Sequence, residues 1–133
     1  MIVVDSSVWI DYFLGTSHSA KIELMRLLDS GRSRLIVPDL VLFEVLRGFR
    51  HEREHRQARH VLERFGVAAT GDHRLALSAA QHHRSLRELG YTTRSAIDVL
   101  IAAFCIEHDY FLLHNDRDFE PYAAHRGLRV WGQ

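Results

Sequence analysis

The chain has 133 residues, 47% of them apolar and 26% charged, and 17 basic side chains balance 17 acidic ones. That size and composition fit a soluble globular protein of one domain, residues 1–133, and exclude a disordered chain. The single cysteine, Cys105, excludes an internal disulfide and a cysteine-built zinc site, and no apolar run reaches the roughly 18 residues that a membrane span needs.

The pattern predicts a strand over Ile2–Val4 and a helix over Ser6–Leu14 that Gly15 ends. A second helix is expected over Ser19–Leu28, before Gly31. Leu35–Val37 reads as a strand stopped by Pro38, and Leu40–Leu46 as an apolar helix that contains Glu44. A charged helix is expected over Glu52–Phe65, a short strand over Val67–Ala69 and a helix over His73–Leu89. Ser95–His108 is apolar almost all round and should be a buried helix. Tyr110–Leu113 and Leu128–Trp131 complete the strands. Short apolar strands separated by helices imply an α/β fold with a mainly parallel sheet of four to five strands. In such a sheet function gathers where the strands end. The start, MIVVDSS, has no basic region before its apolar stretch, so no signal peptide is expected and a cytoplasmic protein is.

Net neutrality hides a local pattern. Lys21 is the only lysine, and Arg47–Arg64 and His73–Arg94 each carry a local charge of +3. Basic segments of this kind can meet an anionic polymer.

The acids are more informative. Asp5 follows the first strand, and Asp116 and Asp118 follow the strand that ends at Leu113. Glu44 and Asp98 lie inside apolar helices. Each has a local explanation. Asp5 or Ser6 can cap a helix, Glu44 can pair with Arg47, Ser95 to Asp98 can form a capping box, and Asp116 and Asp118 suit a turn. Together they say more, because carboxylates are seldom buried without a partner. Converging carboxylates repel unless a cation shares the site. A hard cation with oxygen ligands, Mg²⁺ or Mn²⁺, relieves that repulsion and suits phosphodiester chemistry.

Four blocks, IVVDSSVWIDYF, PDLVLFEVLRGF, RSAIDVLIAAFC and HNDRDFEPYAAHRGL, stand in an order and spacing that resemble the PIN-domain ribonucleases, most closely the VapC toxins of bacterial toxin–antitoxin pairs. The resemblance implies a three-layer α/β/α sandwich and Mg²⁺-dependent cleavage of RNA, with tRNA and rRNA as the candidate targets, leaving a 5′-phosphate and a 3′-hydroxyl. It also implies a homodimer, held inactive by a VapB-type antitoxin in a larger assembly, with no membrane involved. By that resemblance Asp5, Glu44, Asp98 and Asp116 are the catalytic acids. Asp5 and Asp98 are direct metal ligands, Asp116 completes or supports the metal shell, and Glu44 orients or deprotonates the attacking water. Ser6 and Asp118 support them, Ser6 by holding a water at the metal. Arg47, Arg50, Arg84, Arg87 and Arg94 are candidates for contact with the RNA backbone, each set against the plainer role of a solvated helix face. One departure is visible. The last block begins with His114 where Thr or Ser is usual, which puts a local hydroxyl bond in doubt and is expected to make activity more sensitive to pH.

Other readings compete. His51-Glu52-Arg53-Glu54-His55 matches two zinc-protease patterns, although its charged surroundings suit an exposed helix. Asp5 lacks the second Asp, two residues on, of an aspartyl-phosphate enzyme, since Ser7 stands there. Cys105 reads as a core thiol. Trp9, Tyr12 and Phe13 read as core or dimer interface, and Trp131 as either packing or a base-stacking ring. The main alternative function is a catalytically weak PIN-like module that binds RNA or protein without cutting.

Overall fold

The computed structural model describes residues 1–32 and 34–132. Its order is β1 (Ile2–Val4), α1 (Ser6–Leu14), α2 (Ser19–Ser30), β2 (Leu35–Pro38), α3 (Asp39–Leu46), α4 (Glu52–Glu63), β3 (Val67–Ala68), α5 (His73–Glu88), α6 (Ala96–His108), β4 (Phe111–Leu113), a 3₁₀ turn at Arg117–Phe119, α7 (Glu120–His125) and β5 (Arg129–Val130). The five strands form one parallel sheet in the order β3-β2-β1-β4-β5. Helices flank the sheet, as the α/β/α sandwich requires.

The central strand β1 is buried along its whole length because it pairs on both edges. Val4 lies opposite Leu113 of β4, and the pairing runs one residue further through the Asp5 amide, which donates to the Leu113 carbonyl at 2.9 Å. A side chain at position 5 is therefore fixed at the carboxyl edge before any side-chain bond is counted. The core below that edge joins Val3, Val4, Trp9, Leu24, Ile101, Phe104 and Leu112.

Most predicted boundaries move by one or two residues. Helix α4 stops at Glu63, because Phe65 and Gly66 turn back onto Leu62 and Glu63 and Gly66 takes φ +83°. The 3₁₀ turn and α7 lie in a stretch the hydropathy pattern left unassigned. Six residues are too few to show a helical period, and the start signal is Pro121 in the first turn. The capping box expected at Ser95 does not form. Ser95 occupies the N-cap without a side-chain bond, and Asp98 belongs to an acidic cluster instead.

Trp9 is fully buried and stacks near Phe13, with Tyr12 and Phe65 against its edges and faces. These rings are core. Trp131 packs on Phe111 and donates its indole N–H to Glu23 at 2.9 Å, so it is a packing residue. Cys105 is buried, and burial pushes its thiol up, which leaves it inert. Among the described residues no helix is long and apolar enough to cross a membrane.

The Trp9 indole N–H is buried without a hydrogen-bond partner. Trp9→Ala should cost about 3–5 kcal/mol in urea unfolding. Trp9→Phe should cost clearly less, because it removes an unpaired buried donor along with the lost ring area.

Candidate metal centre

Five carboxylates meet at the carboxyl edge of β1 and β4. Asp5 leaves β1 in extended backbone, caps α1 and is 3% exposed. Its Oδ2 accepts from the Ser7 amide at 3.3 Å and from the Ser7 hydroxyl at 2.6 Å. Its Oδ1 is buried and has no protein partner. Glu44 comes from the middle of α3. The Ser6 hydroxyl donates to its Oε1 at 2.7 Å, and Arg47 stands 3.9 Å from its Oε2. Asp98 sits in the first turn of α6 and is buried. Asp116 caps the 3₁₀ turn, and its Oδ1 accepts from the Asp118 amide at 2.9 Å. Asp118 accepts from both the Arg94 amide and the Arg94 Nε at 3.3 Å.

Oxygen atoms of Asp5, Glu44 and Asp98 lie within 4.8 Å of one another, and so do those of Asp98, Asp116 and Asp118. Asp98 is common to both groups. Burial first, and then the charges of Asp5, Glu44, Asp116 and Asp118, push its carboxyl up to about 7. Burial also raises the Asp5 carboxyl, against the opposing pull of its Ser7 hydrogen bonds. The centre holds an excess of negative charge that a bound cation would offset in part. The orphaned Asp5 Oδ1 and an all-oxygen donor set suit a hard divalent cation.

The acids named from sequence thus converge, and several have neighbours that were not anticipated. Ser6 holds Glu44 in place of a water. Ser7, noted in sequence only as a residue that an aspartyl-phosphate enzyme would not have, orients Asp5. The Asx-like run Asp-Ser-Ser could have signalled this. His114 accepts the Asp116 amide on Nδ1 at 3.1 Å, so a ring nitrogen does what a Thr or Ser oxygen would do in that turn. Burial lowers the His114 pKa, against the opposing pull of Asp116 and Glu120.

The five arginines divide. Arg47 and Arg94 touch acids of the centre and keep exposed guanidiniums. Arg84 lines a cleft between α5 and α6 together with His83 and Arg94. Arg50 and Arg87 are exposed and are not brought to the acids by any hydrogen bond or ion pair among the described residues. The zinc-protease reading also falls. His51 is the N-cap that precedes α4 rather than a residue of the helix, and no third ligand joins His51 and His55 among the described residues.

An α/β/α sandwich with an acidic all-oxygen centre where its parallel strands end defines a metal-dependent enzyme of phosphodiester chemistry. The PIN domain family model matches residues 2–124, and the chain belongs to that family. Two similar proteins are Ribonuclease VapC11 of Mycobacterium tuberculosis and VapC ribonuclease Mb1587 of Mycobacterium bovis. Each is 32% identical over 130 residues, which are 98% of this chain and 97% of the relative. The fold is shared with VapBC2 of Rickettsia felis, solved bound to a DNA fragment from its promoter, with a TM-score of 0.76 and 16% identity over 98% of this chain and 97% of that one.

The raised Asp98 pKa fixes a sign for stability. Without metal, the folded state holds this proton more tightly than the unfolded chain, whose Asp titrates near about 4. The stabilising contribution is fully present below about 4 and is lost as pH rises to about 7, after which it changes no further. In EDTA, the melting temperature of the wild type should fall relative to Asp98→Asn across that window. At pH 8 the variant should melt about 2–6 °C higher. Added Mg²⁺ should raise the wild type and leave Asp98→Asn nearly unmoved, as read by differential scanning fluorimetry.

Proposed function

We propose that Asp5, Asp98 and Asp116 hold Mg²⁺, with Mn²⁺ as a substitute, and that Glu44, Ser6 and Asp118 support them. Residues 1–133 then act as a single domain. The protein is an endoribonuclease of the toxin type. It is restrained by a VapB-type antitoxin and works as a homodimer within a larger toxin–antitoxin assembly. Its place is the cytoplasm, where both the RNA and the antitoxin are found. The observation that carries the reading is the buried Asp98 carboxyl, shared by two acid groups and pushed up to about 7 by burial and by the acids around it.

When bound, the metal supplies Lewis acidity at the scissile phosphate and makes a water more acidic. The remaining work belongs to the chain. Asp5 is held by Ser7 on one oxygen and presents the other, Oδ1, to the cation. Glu44 is held by Ser6 through Oε1, which leaves Oε2 to orient the attacking water and take its proton. Arg47 and Arg94 lie beside the acids and offer exposed guanidiniums to the phosphodiester. Arg50, Arg84 and Arg87 extend the basic surface along the RNA backbone and add affinity rather than base choice.

Purified protein, freed of antitoxin, should cut cellular RNA into discrete fragments with 5′-phosphate ends in Mg²⁺ and not in EDTA. Asp98→Asn should lower kcat/KM by about 10³-fold or more. Arg94→Ala should weaken RNA binding several-fold and flatten its dependence on salt. Equal cleavage by wild type and Asp98→Asn would remove the assignment of the centre.

A further inference from the structure

Beside the acids lies a cleft of about 340 Å³. It is lined by Tyr91 and Thr92, and by Arg117, Asp118, Glu120 and Pro121. Its volume falls in the range of small-ligand sites, roughly 300–1,000 Å³. Asp118 belongs to both the cleft and the acid cluster with Asp98 and Asp116, so the two adjoin.

Tyr91 is a large aromatic ring left 43% exposed at this position. Its backbone is tied to the end of α5. Gly90 takes φ +94° after α5, and the Tyr91 amide donates back to the Leu86 carbonyl at 2.9 Å. His125 of α7 lies behind the ring, with centroids 5.6 Å apart and planes tilted by 36°. A second tie joins the walls, the 2.8 Å hydrogen bond between the Thr93 and Tyr122 hydroxyls. A fixed, half-exposed aromatic ring needs no such support to fill a core, since it is not in one.

We propose that this cleft is a nucleobase subsite, in which one unpaired base next to the scissile phosphate stacks on Tyr91. The inference rests on the ribonuclease reading of the neighbouring acids. Stacking on aromatic rings is how single-stranded RNA bases are commonly held. Arg117 stands at the same cleft to meet a phosphate. Glu120 supplies two acceptor oxygens, and the guanine Watson–Crick edge offers two adjacent donors, N1–H and N2–H₂. Uracil offers one donor between two acceptors. The subsite therefore favours guanine over uracil, with Tyr91 supplying affinity and Glu120 supplying choice.

The test separates the subsite from the catalytic reading. Isotope-labelled Asp98→Asn protein in EDTA is titrated with GMP, UMP and ribose 5-phosphate, and backbone amide signals are followed by NMR. GMP should move the signals of residues 91–93 and 117–124. Adding Tyr91→Ala should weaken its binding about 10-fold, whereas Tyr91→Phe should keep it within about 2-fold. Glu120→Gln should narrow the gap between GMP and UMP. In the otherwise wild-type protein, Tyr91→Ala should lower kcat/KM on RNA by a similar factor, and Tyr91→Phe should restore it. Ribose 5-phosphate binding as well as GMP would overturn the subsite, because it would mark a phosphate site. So would GMP signals elsewhere, or Tyr91→Ala cutting RNA at the wild-type rate, while the ribonuclease reading stood. GMP seated at Tyr91 in a protein whose wild type cuts no RNA would uphold the subsite and remove the ribonuclease reading.

Discussion

Repulsion among carboxylates is the constraint around which this molecule is built. Asp5, Glu44, Asp98, Asp116 and Asp118 come from four separate places in the chain, yet their oxygens crowd around Asp98. Nothing in the folding of the chain favours that gathering. Burial and like charge both oppose ionisation of Asp98, and its carboxyl is pushed up to about 7 as a result. The backbone imposes the arrangement against this preference. The parallel pairing of β1 with β4 holds Asp5 near Asp116, and the first turn of α6 delivers Asp98 between them. The strain that results is what makes the site receptive to a cation, since a positive ion recovers energy that the metal-free fold cannot.

The neighbours of the acids keep that strain in one geometry. Ser7 fixes one oxygen of Asp5, Ser6 fixes one of Glu44, and the Asp118 amide fixes one of Asp116. Each bond satisfies a single oxygen and leaves the rest of the carboxylate for a ligand. Arg47 and Arg94 offset part of the charge from the solvent side at 3.9 and 3.3 Å. Exposed pairs of this kind contribute little to stability. They are cheap to open when a phosphate arrives, which is the property an RNA-cutting site needs.

Much of this was legible in the sequence, and the reasons are physical. Helices with an apolar stripe and β-branched strands announce themselves by period, so the parallel α/β layout and most boundaries follow from hydropathy. The five acids stood out because Glu44 and Asp98 interrupt apolar helices where a charge is costly. Short-range side-chain geometry was not legible. Whether Ser6 reaches Glu44, or His114 accepts an amide in place of a hydroxyl, depends on tertiary placement over 38 residues in one case and on local turn geometry in the other. Helix α7 was hidden because six residues give no period. Tyr91 looked ordinary because its role depends on α7, which supplies His125 behind its ring and Glu120 across the cleft.

The strand order carries a consequence for how the molecule comes into being. β1 is made first and leads directly into Asp5, but its second edge waits for β4, which is more than a hundred residues further along the chain. Asp116 and Asp118 follow β4 directly, so synthesis must reach Asp118 before the acidic centre has all its members. At synthesis rates of about 5–20 residues per second, the nascent chain passes several seconds without the complete acidic centre. A fragment released early has one edge of its central strand bare and lacks two of its five acids. The topology thus makes the acidic centre one of the last features to be assembled.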